Sequence, residues 1–137
     1  MDWVDAQLYH CTKLGARLAF ELPERTAIEL PEQVLRLASI LRRHGALLGV
    51  DYCGAHDLAL EYMKRLKADY AKIEAAFVRG AMQHKNQRSF VLSLIEFCHG
   101  LDVQVIVERV ETQEEYVAAC ELGADGVQGF FIGAPAP

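Results

Sequence analysis

The sequence has no Cys-x-x-Cys pair; Cys11, Cys53, Cys98 and Cys120 stand far apart, with no histidine at a spacing that would close a zinc site. A structural zinc centre is therefore excluded, and the thiols read as the reduced residues of a cytoplasmic protein. Long apolar runs are missing too: a stretch such as Ala46 to Val50 falls far short of the ~20 residues that a membrane helix needs. Asp2 and Asp5 occupy the place of a basic leader, so a secretory signal is not expected. Positive charge is scarce, with 14 Lys and Arg against 19 Asp and Glu for a net charge of -5. That balance argues against DNA or RNA as a partner, because such binding rests on neutralising phosphates. Fixed-period repeats, low-complexity tracts and linkers are also absent. What remains is 137 residues, 52% hydrophobic and 24% charged, which is enough to bury the core of one domain spanning residues 1–137.

Short aliphatic runs alternate with longer segments of helical period, the mark of a parallel sheet with crossover helices. Strands are predicted near Arg17 to Leu22, Leu47 to Tyr52, Tyr70 to Glu74, Gln104 to Val110 and Val127 to Phe131. Helices are predicted over Pro31 to His44, Leu58 to Lys67, Ser89 to His99, and from Thr112 to Gly123, where Thr112 and Glu115 form a capping box. Trp3, Leu8 and Tyr9 suggest a further N-terminal helix. Gly80 to Arg88, the most polar stretch, reads as a mobile loop or irregular helix start, and Gly133 to Pro137 as a frayed tail.

In βα repeats the carboxyl ends of the strands share one face of the sheet, and ligands bind there. The polar residues at those ends are Glu21, Asp51, Lys72, Glu108 with Glu111, and Gln128. Carboxylate oxygens suit a hard divalent cation, and a lysine suits a phosphate or the water that attacks it. The plainer reading of each carboxylate is a strand-end group that caps a loop. Lys72 equally reads as the ion-pair partner of Glu108 or Asp51. Arg109 reads as a phosphate ligand or as a partner of Glu108 or Glu111. Tyr52 reads as a packed aromatic or a stacking platform, and Cys53 as a small buried group.

Five segments in this order resemble the EAL domain of bacterial cyclic di-GMP phosphodiesterases. Phe20-Glu21-Leu22-Pro23-Glu24 is similar to its Glu-Leu-Thr-Glu strand end, and Val50-Asp51-Tyr52-Cys53-Gly54 to its Asp-Asp-Phe-Gly motif. Lys72-Ile73-Glu74 is similar to Lys-Ile-Asp, Glu108-Arg109-Val110-Glu111-Thr112 to Glu-Gly-Val-Glu-Thr, and Gln128-Gly129-Phe130 to Gln-Gly-Tyr. The resemblance implies an α/β fold, a partial TIM-like (β/α) barrel of five parallel strands forming the C-terminal half of an EAL barrel. It implies Glu21 and Asp51 as metal ligands for Mg²⁺ or Mn²⁺, and Lys72 and Glu108 as catalytic residues. Gln128 would line the nucleotide pocket, and Glu24 and Glu111 would support the loops. Arg109, which has no counterpart in the family pattern, is a substrate-binding candidate on its own chemistry, as a bidentate donor to phosphate.

Two departures bear on activity. The second aspartate of the Asp-Asp-Phe-Gly motif is Tyr52, and a phenol, neutral at pH 7, is a poor ligand for a hard cation. The glycine after Glu108 is Arg109. The expectation is a degenerate EAL domain, inactive as a phosphodiesterase and metal-free if Tyr52 has emptied the site. It would act as a cyclic di-GMP receptor or a protein-interaction module. The alternative is an active, metal-dependent phosphodiesterase once the upstream half of the barrel is present. A whole barrel takes about 250 residues, so a homo-oligomer or a missing barrel half is expected. The compartment would be cytoplasmic, including the cytoplasmic part of a longer membrane-tethered protein.

Overall fold

A computed structural model describes residues 1–56 and 60–134. The elements run α1 (Asp2–Lys13), β1 (Ala19–Pro23), α2 (Glu24–Glu29), α3 (Pro31–Arg43), β2 (Leu47–Asp51), α4 (Leu60–Leu66), β3 (Tyr70–Glu74), α5 (Ala75–Gln83), α6 (Lys85–Gly100), β4 (Gln104–Glu108), α7 (Gln113–Leu122) and β5 (Gly126–Val127). The strands form one sheet in the order β1-β2-β3-β4-β5, and every neighbouring pair is parallel. Crossovers between parallel neighbours are right-handed, so a sheet in sequence order carries its helices on one face and leaves the other face bare. This is a partial (β/α) barrel, as expected, opened along β1 and β5.

The two faces differ in chemistry because side chains alternate along a strand. The helix-side row holds Leu48, Val50, Ala71, Ile73, Val105 and Val107, all buried, against Val34, Leu41, Val78, Val91 and Ile95 from the helices. Burying one such side chain stabilises the fold by about 1.5–3 kcal/mol. The bare face carries Glu21, Asp51, Lys72 and Glu108 instead. Glu21 is in register with Gly49, Gly49 with Tyr70, and Glu74 with Glu108. Gly49 is needed for this arrangement, since a Cβ there would collide with the Tyr70 ring, which lies across β2.

Several expectations are corrected. Of the two readings of Gly80 to Arg88, the loop is corrected and the helix start holds: the stretch spans the end of α5 and the start of α6, broken at His84. Gly80 sits inside α5 with the end of the exposed Gln87 side chain lying over it, a glycine that mimics a breaker in the sequence. β2 ends at Asp51 and β4 at Glu108, short of the predicted ends, since Tyr52 (φ 53) and Arg109 (φ 62) turn into the left-handed region. β5 covers only the first residue of the predicted Val127 to Phe131 run. Its continuation folds into turns, with Gly129 (φ 146) pressed against the Val110 backbone and the Ile132 amide donating to the Gly129 carbonyl. Helices α2 and α5, unread in the sequence, follow their strands with no loop between. The Leu58 start of the predicted fourth-helix segment and the tail residues 135–137 lie outside the described residues.

Candidate functional site

The bare face gathers the strand-tip residues into one layer. Glu21 is gripped from β3 twice on the same oxygen: Lys72 Nζ lies 2.7 Å from Glu21 Oε1, and the Tyr70 hydroxyl donates to that atom at 2.9 Å. Lys72 therefore pairs with Glu21, and neither Asp51 nor Glu108 is its partner among the described ion pairs. Tyr70 opens a predicted strand but was not read as part of the site. Only the glycine opposite it in register, which frees room for its ring, could have signalled the role.

Asp51 and Glu108 face each other from β2 and β4. Burial and then the neighbouring Asp51 carboxylate push the Glu108 carboxyl up to about 7, against the opposing pull of Lys72 and Arg109. Glu108 Oε1 is buried and has no hydrogen-bond partner. Asp51 Oδ1 accepts the amide of Tyr52 at 2.8 Å, which fixes its carboxylate where the chain turns.

Tyr52 and Arg109 meet above this pair. The Arg109 guanidinium carbon lies 5.9 Å from the Tyr52 ring centroid, and Nη2 reaches the Tyr52 hydroxyl at 3.5 Å, the outer limit of a hydrogen bond. Tyr52 is 36% exposed, so it stands at the mouth of the site and not in the core. Arg109 has neither Glu108 nor Glu111 as an ion-pair partner among the described residues. Cys53, behind this loop, is buried, and its neighbour Cys98 together with burial pushes its thiol up.

Glu24 is buried at the start of α2 and accepts two loop amides, Gly54 N at 2.9 Å and His56 N at 2.6 Å. It thereby holds the turn that follows Asp51. The Glu111 side chain makes no comparable bond among the described residues, but the Glu111 amide donates to Glu115 Oε2 at 2.8 Å. Glu115, the buried acid of the capping box, also pairs with Arg79 at 2.7 Å, while its own amide donates to Thr112 Oγ1 at 3.1 Å. Its carboxylate thus serves the Glu111 amide first, with the Thr112 backbone also drawing on it. Gln128 lies at the far side, where its carbonyl accepts the Val110 amide and its amide donates to Val107. With Glu108, Arg109, Glu111, Gly129 and Phe130 it lines a cavity of about 400 Å³. A larger cavity, about 710 Å³, sits among α5, α6 and α7 and holds none of the strand-tip residues.

The donor set differs between the Asp51 and Glu108 pair and the Tyr52 side of the site. The orphaned Glu108 oxygen beside Asp51 offers hard ligands, and a divalent cation there would relieve the crowding of the two carboxylates. No three His, Cys, Asp or Glu side chains form a closed cage among the described residues, so one cation would complete its shell with water or ligand oxygens. At Tyr52 a second cation does not fit, because the phenol is uncharged and Arg109 already places a positive group there.

Comparison with known proteins agrees with this geometry. The chain is 33% identical over 120 residues to an uncharacterized protein of Azorhizobium caulinodans, covering 88% of this chain and 16% of that one. It is 28% identical over 120 residues to the cyclic di-GMP phosphodiesterase PdeB of Shewanella oneidensis, covering 88% of this chain and 14% of that one. Among solved structures, it matches the manganese and cyclic di-GMP complex of Klebsiella pneumoniae BlrP1 at pH 9.0. That match has a TM-score of 0.82 and 28% identity, over 94% of this chain and 34% of that one. It also matches the S helix-GGDEF-EAL part of Vibrio cholerae LapD bound to cyclic di-GMP, with a TM-score of 0.86 and 26% identity, over 96% of this chain and 32% of that one. The chain thus spans only a fraction of the length of these relatives. The profile described as EAL domain matches residues 1–135, and the chain belongs to the EAL domain family.

Proposed function

We propose that this chain is a degenerate EAL domain, inactive as a phosphodiesterase, that serves as a cyclic di-GMP receptor in bacterial signalling. The supporting observation is the Tyr52 and Arg109 pair, which fills the second cation position with a neutral ring and a fixed positive charge. Lys72, held at 2.7 Å from Glu21, orients that carboxylate and does not stand free to act on a water. Asp51 and Glu108 would hold at most one Mg²⁺ or Mn²⁺, with Glu21 held away by Lys72 and Tyr70, and that cation would polarise a phosphate oxygen when bound. Gln128 lines the cavity where a guanine base would lie. The bare face and the β1 and β5 edges are completed by a second copy or by the remaining half of a barrel, and the site serves as a protein-interaction module when that neighbour changes with ligand.

The test is turnover of cyclic di-GMP with Mg²⁺ or Mn²⁺. No linear product is expected from this chain, or from it joined to any upstream half. Hydrolysis that disappears in Lys72→Ala would overturn the proposal.

One observation favours a second reading, an active metal-dependent phosphodiesterase: Glu21, Asp51, Lys72 and Glu108 all remain on one face, and a buried Glu108 oxygen lacks a partner. That reading expects Asp51→Ala to abolish activity and Tyr52→Asp to raise it.

A further inference from the structure

The 400 Å³ cavity beside the strand tips has an unusual balance of charge. Two carboxylates, Glu108 and Glu111, share its wall with the Gln128 amide and the Phe130 ring, which is 70% exposed. Arg109 is the one cationic side chain among the described residues that line it. Its guanidinium is not spent on either carboxylate. It lies 5.9 Å from the Tyr52 ring centroid, on a left-handed backbone at φ 62 just past β4, and lines the cavity. A planar fork of N–H donors in that position suits the two free oxygens of a phosphodiester. Without it, an entering phosphate would meet only negative charge and a neutral amide. Lys72, another cation on the bare face, is paired with Glu21.

We infer that Arg109, propped on Tyr52, takes a phosphodiester of the ligand directly, so that this site binds its cyclic dinucleotide without a divalent cation. The inference rests on the receptor reading above and adds to it which residue reads the phosphate and what the binding does not require. Tyr52 acts as a positioning residue, because its ring restricts the guanidinium to the cavity side.

The test is calorimetric titration of this chain with cyclic di-GMP, in EDTA and again in excess Mg²⁺, alongside Arg109→Gly and Arg109→Lys. Equal affinity in both buffers is expected. Arg109→Gly should weaken binding about tenfold or more, the worth of one charge-assisted hydrogen bond. Its Tm should not fall, since glycine is at ease in the left-handed backbone. Arg109→Lys, which keeps the charge and loses the fork, should fall between the two. Binding that appears only with Mg²⁺, or affinity unmoved by both variants, would overturn the inference while leaving the receptor reading standing. No binding by the unmodified chain in either buffer would instead sink the receptor reading and this inference with it.

Discussion

At the scale of single residues, the two departures from the family pattern carry a conformational cost that can be measured. Arg109 and Tyr52 both hold positive φ, where a residue with a Cβ is disfavoured by about 1–2 kcal/mol. Arg109→Gly should therefore stabilise the fold by about 1 kcal/mol, seen as a Tm rise of roughly 3–5 °C, while its ligand affinity falls. A variant that loses both would mean that Arg109 anchors the loop through its packing. Gly49 tests the layer below. Gly49→Ala forces the Tyr70 ring off β2 and breaks its bond to Glu21, so denaturant unfolding should show a loss of about 1–3 kcal/mol. In a Tyr70→Ala background, where the collision is gone, Gly49→Ala should cost much less than it does in the unmodified chain. Lys72, Glu21 and Asp51 were legible as strand-tip groups, since position and charge coincide in the sequence. Their pairing was not, because the choice of Glu21 over Asp51 depends on how β1 and β3 lie across Gly49, which no local pattern records.

At the scale of elements, the start of α7 concentrates the clearest electrostatic effect. Burial pushes the Glu115 carboxyl up, but the Glu111 amide, the Arg79 guanidinium and the Thr112 link outweigh it and leave the group below its ordinary range. A depressed carboxyl stabilises the fold at pH above the unfolded value of about 4.3, and that contribution is lost as pH falls through the folded value. Thermal unfolding from pH 7 downward should show a fall in Tm that Glu115→Gln flattens, with a loss of about 1–2 kcal/mol at pH 7. A parallel pair of curves would assign the acid sensitivity elsewhere, Asp125 being the other depressed strand-side carboxyl, paired with His99 and the Val105 amide. The Thr112 to Gly123 segment was readable because cap, period and stop signal agree, and the helix closes on Gly123 at φ 99. Helix α5 was hidden by the same logic. It begins on the residue after Glu74, with no cap signal, and contains a glycine that reads as a stop.

At the scale of the whole molecule, a sheet in plain sequence order with helices on one side leaves a polar face and two edges to be covered. Light scattering should report an assembly larger than one 15.3 kDa chain, and a strict monomer would argue that the exposed edges are tolerated as they stand. Ligand binding should act on the molecule as a unit. Cyclic di-GMP at 100 times its Kd should add about 2.7 kcal/mol of stability, visible as a thermal shift that vanishes in Arg109→Gly only if the phosphate contact dominates. Alternation of strand and helix made the barrel-like fold readable, whereas the bare face could be seen only once strand order was known. Glu24 adds a consequence of its own. Its carboxylate holds the turn after Asp51 through main-chain N–H groups, and those are identical whichever side chains the turn displays. Apart from Gly54, at φ 93, the anchorage is therefore indifferent to spelling, so a lineage can rewrite the letters at the rim, a phenol for an acid included, and still present them at the same place.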